Sequence, residues 1–168
     1  PERFLIWSGQ ILTGNFGYSY YTGEPVLQRI RGKILPTVEL TATAMIVSTV
    51  LGTIFGVIAA LKQYSIYDYS LSLVSLFGVS IPTFFFALVA LYLFAFVWEI
   101  FPSYGMGYVP GEGLSLKLNI YHLILPALVL SIDTMSGKTR YARTAMLEVL
   151  KADYITTARA KGLSEQVV

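Results

Sequence analysis

Long apolar runs constrain this chain more than any other feature of its sequence. The first, from Leu40 to Leu61, is long enough to cross a bilayer, since a spanning helix needs about 20 apolar residues. A second run covers Leu71 to Phe101, and a third begins at Leu123 and stays apolar to Met135. Only 13% of the 168 residues are charged, whereas soluble domains carry about 25%. The sequence therefore predicts an α-helical membrane protein.

We predict an all-α polytopic bundle with three membrane-spanning helices, over about residues 37–61, 68–101 and 121–150, in a single domain. The third apolar run is too short to span by itself, so we extend its helix to residue 150, where its inner half enters polar surroundings. Residues 1–36 mix aromatic residues, glycine and charge, which indicates an external or interfacial segment. Residues 151–168 are expected to lie beyond the last span.

Basic residues accumulate at the end of the third span, which predicts that this end, with residues 148–168, is cytoplasmic. These residues are Lys138, Arg140, Arg143, Lys151, Arg159 and Lys161. Three crossings then place residues 1–36 and 102–120 outside and the turn at 62–67 inside. The basic residues between Arg3 and Lys33 oppose this rule, because they would lie in an external segment. The absence of cysteine agrees with a bacterial or archaeal inner membrane.

Two features of the spans predict how the helices pack. Gly52 and Gly56 recur at a spacing of four, which lets a neighbouring helix in lipid approach closely. Pro82 lies inside the second span, where a proline removes one backbone hydrogen bond and bends the helix. A bend of this kind is typical of a cavity-lining helix and equally of bent packing, and the sequence leaves both interpretations open.

Asp133 and Arg140 form a possible intramembrane charge site, since Asp133, Gly137 and Arg140 share one side of the third helix. An ionisable residue in a span marks a functional site by default. The alternative, which we favour because the depth is shallow, is a structural ion pair near the cytoplasmic boundary.

The sequence predicts neither an enzyme nor a cofactor site. Gly137-Lys138-Thr139 has the ending of a phosphate-binding loop, but Ile132 stands where that pattern needs glycine. The single histidine and the lack of cysteine leave no ligand set for a metal. A net charge of +2 is too weak to indicate nucleic acid.

The residues from Glu148 to Gly162 predict a short amphipathic helix. Leu147, Leu150, Tyr154 and Ala158 fall at spacings of three and four, so they share one face of a continuous helix. Gly162 is placed to end it, because glycine readily adopts positive φ.

Asp-Tyr-Ile-Thr-Thr-Ala-Arg-Ala-Lys-Gly-Leu at residues 153–163 resembles the cytoplasmic "EAA" loop of permease subunits of binding-protein-dependent ABC importers, in the oligopeptide and dipeptide branch. Thr156-Thr157-Ala158 replaces Glu-Ala-Ala, with Gly162 in register. Residues 78–84, 101–105 and 14–30 resemble other segments of the same branch. The resemblance implies a type I importer permease-like fold, with one more span before this stretch and about two after it.

In that family the loop docks into a groove of the ATPase. The resemblance thus implies an ATPase contact through Tyr154, Thr157, Ala158, Ala160 and Gly162. It also implies a second homologous permease subunit, two ATP-binding cassette subunits or domains, and an external solute-binding protein, in contact with membrane lipid. The expected solute is a di- or oligopeptide, with nickel complexes or oligosaccharides as alternatives within the family. A channel or scaffold protein without an ATPase is the alternative outside it.

Overall fold

The computed structural model describes residues 2–106, 108–109, 113–114, 116–164 and 167. The chain divides into two compact units, residues 1–40 and residues 41–168. The described residues form six α-helices, one π-helical segment and a two-stranded antiparallel pair, in which β1 (Tyr108–Val109) pairs with β2 (Gly113–Leu114). The helical architecture predicted from the sequence is confirmed.

The first unit contains α1 (Glu2–Leu12) and a tight turn that precedes α2. The turn is closed by a bridge between Tyr18 and Pro25, and the Ser19 amide donates to the Glu24 carbonyl at 2.9 Å. The Arg29 guanidinium donates to Thr22 Oγ1 at 2.6 Å, which fixes the turn against the first turns of the following helix.

Helix α2 covers Val26–Leu61, so the expected start of a helix near residue 37 is wrong. The Pro25 carbonyl accepts the Arg29 amide at 3.3 Å and opens the helix there. Pro36 lies within α2 and does not interrupt it. A proline removes only one amide donor, and the residues on either side of Pro36 stay helical, so α2 begins within the segment expected to be external or interfacial.

The second predicted span is two helices, α3 (Ile66–Ser80) and α4 (Thr83–Leu91), which continues as a π-helical segment (Tyr92–Val97). The two halves are bent by 102°. Ile81 is extended, with φ −89° and ψ 126°, as the residue before a proline prefers. The expected kink at Pro82 is therefore a complete break, and one helix over 68–101 is wrong.

Helix α5 (Leu116–Leu150) is the element on which the second unit is built. Within the described residues, α2 and α5 are each long and apolar enough to span a membrane, and the bent pair α3–α4 makes a third candidate. The contacts of that pair with α5 fall in order along it. Asp68 meets Arg143, Gly78 faces Ser136, Ala90 packs on Leu125 and Val129, and the ring of Phe101 lies 5.6 Å from that of Tyr121.

This order favours a broken span over a re-entrant loop. From Asp68 to Phe101 the chain advances steadily towards the start of α5, whereas a re-entrant segment would turn back. The second half of α2 runs the other way, because Gly52 and Gly56 lie against successively later turns of α5. The second unit thus consists of two parallel helices and one broken antiparallel crossing.

Small and hydroxyl side chains fill the contacts between these helices. Ala59, Ala60 and Ala127 are buried, and so are Ser48 and Ser131. Large apolar side chains such as Phe77, Phe84 and Leu88 are exposed instead. A soluble protein shows the opposite pattern, whereas helices in lipid associate through small residues and hydrogen bonds.

Candidate functional site

The predicted amphipathic helix is a separate element, α6 (Asp153–Ala160), and not a continuation of α5. The chain leaves α5 at Leu150 and makes a tight turn, in which the Ala152 amide donates to the Val149 carbonyl at 3.0 Å. Ala152 is extended, with ψ 148°, and offers no side-chain cap. Asp153 lies in the first turn, where its negative charge favours the positive end of the helix dipole.

The break at residue 152 changes which residues of α6 face the protein. Ile155 is the buried residue, at 6% exposure, whereas Tyr154 is 63% exposed. The face predicted from Leu147, Leu150, Tyr154 and Ala158 assumed an unbroken helix and is wrong. Thr157 and Ala160 lie on the exposed side of α6, and Ala158 is half-buried.

Gly162 ends α6 as the sequence predicts. Its φ is +79°, and its amide donates to the Arg159 carbonyl at 2.9 Å, while the Leu163 amide donates to the Ala158 carbonyl at 3.3 Å. These two bonds form a Schellman motif, in which glycine adopts the left-handed conformation at little cost. No atom lies within 4 Å of where a Gly162 side chain would begin, so α6 ends at an open surface.

A buried ion pair lies at the same end of the bundle as α6. Arg143 Nε donates to Asp68 Oδ1 at 2.7 Å, and Arg143 Nη2 donates to Asp68 Oδ2 at 2.8 Å. The Asp68 side chain is 4% exposed and the Arg143 side chain 28%. This two-point geometry matches a planar guanidinium to a carboxylate and fixes their relative orientation.

The same carboxylate holds the turn between α2 and α3. Asp68 Oδ2 accepts the Tyr64 amide at 3.0 Å, although Tyr64 has a positive φ of 62°. Ser65 is the N-cap of α3, and its hydroxyl accepts the Asp68 amide at 3.4 Å. Asp68 occupies the third position of α3, where its amide is held by the N-cap and its carboxylate pairs with Arg143.

Gly52 and Gly56 lie directly against α5. A Cβ at Gly52 would come within 2.9 Å of Lys138 Cβ, and a Cβ at Gly56 within 2.6 Å of both Ala142 Cβ and the Thr139 carbonyl oxygen. Gly78 of α3 meets the Ser136 side chain in the same way. The sequence gives no packing signal at Gly78, because no small residue lies four positions before or after it.

Lys138 extends along α2 and not into the basic surface where the sequence placed it. Its Nζ donates to Ser48 Oγ at 2.9 Å and to Thr49 Oγ1 at 2.6 Å. Both hydroxyls donate their own hydrogens to the Met45 carbonyl, so they present lone pairs to the ammonium. Lys138 therefore links α2 to α5 at the level of Gly52.

Asp133 and Arg140 are both exposed in the described part of the chain, and they form no ion pair with each other there. Asp133 lines a cavity of about 300 Å³ beside the break between α3 and α4, together with Gly78, Ile81 and Thr83. The ion pair expected at this end of α5 is made by Arg143, one turn further along, with Asp68. The spacing of residues along α5 could not predict this pair, because Asp68 belongs to α3.

The family described as "Binding-protein-dependent transport system inner membrane component" matches residues 52–168. A Brucella suis biovar 1 protein named as a peptide permease is 42% identical over 98% of this chain and 52% of its own length. The Bacillus subtilis oligopeptide transport system permease protein AppB is 38% identical over 99% of this chain. The Lactococcus lactis dipeptide transport system permease protein DppB is 34% identical over 99%. The chain spans about half the length of these relatives, 52% in each case.

Proposed function

On the premise that this chain belongs to the family of binding-protein-dependent transport system inner membrane components, we propose that it is a permease subunit of an ATP-driven importer of peptides. Its helices form part of the pathway, and α6 receives the movement of an ATPase. The names of its relatives support peptides as the solute class, since they are peptide, oligopeptide and dipeptide permeases.

One observation carries the coupling role: α6 is a short helix that is separated from α5 and, within the described part of the chain, has one exposed face. Ile155 attaches α6 to the rest of the chain, while Thr157 and Ala160 point away from it. The small side chain of Ala160 and the bare Gly162 leave room for another backbone to approach. Ile155, the one large aliphatic residue of α6, is buried and so is not available to lipid, whereas Tyr154 is exposed.

The remaining partners follow from the same proposal. A homologous permease subunit would complete the pathway, two ATP-binding cassettes would supply the energy, and an external binding protein would deliver the peptide. In this proposal ATP is hydrolysed in the ATPase. This chain changes conformation in response and helps to select which solutes pass.

The exposed face of α6 allows a direct test. Ala160→Trp and Thr157→Arg add bulk where no neighbour of this chain is displaced, so the variants should fold. We expect each to reduce recovery of the ATPase in co-purification by about tenfold or more, as for residues central to an interface. Tyr141→Trp, at an exposed position of α5, is the matched control and should leave recovery unchanged.

Normal ATPase recovery with both α6 variants would refute the contact. Ion currents from the purified protein without an ATPase would refute the importer and favour the channel alternative.

A further inference from the structure

The Asp68–Arg143 ion pair joins α5, the helix that precedes α6, to α3. We propose that this pair is a coupling joint, which carries displacement of α6 through α5 to α3 and so to the break at Pro82. The inference rests on the proposed function, because it assumes that an ATPase moves α6. It adds two positioning residues, Asp68 and Arg143, to that function.

The first step is the connection between α6 and Arg143. Two turns of α5 separate Arg143 from Leu150, and a tight turn of two residues, closed by backbone hydrogen bonds, leads to Asp153. A helix transmits axial and lateral movement over such a distance with little loss, because its backbone hydrogen bonds resist stretching. Movement of α6 therefore reaches the guanidinium directly.

The second step is the connection from Arg143 to α3. Both oxygens of Asp68 are engaged by the guanidinium, and one of them also accepts the Tyr64 amide. Rotation of Arg143 must therefore move the first turn of α3 together with the α2–α3 turn. A single hydrogen bond would permit pivoting, whereas a planar two-point pair does not.

The third step is the far end of α3. Its single stretch from Asp68 to Ser80 is about 18 Å long, and it ends where the helix is broken and the cavity beside Asp133 begins. Because α3 is one helix from Asp68 to the break, a shift at Asp68 changes this cavity, which Gly78 and Ile81 line. Since α4 is anchored separately on Leu125 and Val129, it does not have to follow.

A purely structural role is the competing explanation. Buried ion pairs are often replaceable by apolar residues without loss of stability, because desolvation offsets their attraction. Close packing at Gly56 and Gly78 already holds α2 and α3 against α5. The ion pair is therefore not needed to hold α3 against α5. It fixes the orientation of α3 relative to α5, which is what transmission of movement between them requires.

The test uses the complete transporter, reconstituted in liposomes with its ATPase and binding protein. Arg143→Lys keeps the charge and loses the planar fork, and Asp68→Asn keeps the shape and loses the charge. We expect both variants to assemble with the ATPase and to hydrolyse ATP at the basal rate. The stimulation of hydrolysis by peptide-loaded binding protein, and peptide uptake, should each fall about fivefold or more.

Lys62→Gln is the matched control, since Lys62 is an exposed basic residue of the same α2–α3 turn. Its stimulation should stay within about twofold of the unaltered protein, as for a surface substitution. Thermal unfolding of each assembled complex provides the readout of a structural role.

Unchanged stimulation of ATP hydrolysis and unchanged peptide uptake in both Arg143→Lys and Asp68→Asn would refute the proposal that the pair is a coupling joint. Two other results would also refute it: failure of both variants to assemble with the ATPase, or a lower unfolding temperature with normal stimulation per assembled complex. Either result would show that the pair only stabilises the structure. If the unaltered chain does not recover an ATPase at all, the proposed function fails first, which is a separate outcome.

Discussion

At the scale of single residues, Gly56 leaves no room for a side chain. A methyl group there would overlap Ala142 Cβ and two backbone atoms of α5, and backbone cannot move aside as a flexible side chain can. We expect Gly56→Ala to lower the free energy of unfolding by about 1–3 kcal/mol through overpacking. Thermal unfolding in detergent, followed by circular dichroism, measures this change.

Gly137→Ala is the control for that prediction, because Gly137 is also helical but has no atom within 4 Å of a new Cβ. Alanine there should be neutral or should stabilise α5 by about 0.5–1 kcal/mol, since it restricts the unfolded chain. Equal unfolding temperatures for the two variants would contradict the close contact at Gly56.

Features of single residues could be predicted from the sequence where they depend only on neighbouring positions in the chain. The positive φ of Gly162 followed from its place after a helix, and the spacing of Gly52 and Gly56 was visible without a structure. The Asp68–Arg143 pair was not visible without a structure. Its members are 75 residues apart in sequence, and no local pattern around either residue predicts the other. The helical Ser-x-x-Asp signal at Ser65 was available and would have placed Asp68 correctly at the base of α3.

At the scale of elements, Pro82 determines the break between α3 and α4. In an unbroken helix, spin labels at residues 73 and 88 would lie roughly 22 Å apart along the axis. Leu73 and Leu88 are exposed, and the chain has no cysteine, so Leu73→Cys with Leu88→Cys labels only this pair. Because the two helices are bent by 102°, we expect a clearly shorter distance by electron paramagnetic resonance.

Adding Pro82→Ala to the labelled protein restores an amide donor and lifts the restriction on Ile81. The distance distribution should then shift towards the longer value. A single long distance in the protein that retains Pro82 would contradict the break.

Element boundaries were predicted less well than element identity. The presence of a helix at each apolar run followed from composition, but the start of α2 at Val26 and the separation of α6 from α5 did not. Both predictions used only the local conformational preferences of the residues, at Pro36 for the start of α2 and at residues 151–152 for the link between α5 and α6. Pro36 lies within α2 without ending it, and backbone hydrogen bonds form the turn at Ala152, a residue with no turn preference.

At the scale of the whole molecule, the order of contacts along α5 predicts the sidedness of the chain. If α3–α4 is one broken crossing, Lys62 and Lys161 lie on the inner side and Tyr104 on the outer side. Single cysteines at these three exposed positions should react accordingly with a membrane-impermeant maleimide in intact cells and in inverted vesicles. Labelling of Tyr104→Cys and Lys161→Cys from the same side would show a re-entrant segment instead.

The membrane class and the family could be inferred from composition and from one eleven-residue stretch, since both depend on residues adjacent in sequence. The arrangement of three crossings around α5 could not, because it depends on which small residues meet. The structure supplies that arrangement through the contacts of Gly52, Gly56 and Gly78.

The break at Pro82 has a mechanical consequence for any passage that runs beside it. Its two halves are anchored on α5 at separate places, α3 by a charged pair and α4 by an apolar cluster. The two halves can therefore shift independently of each other, whereas a single rigid rod would have to move as a whole.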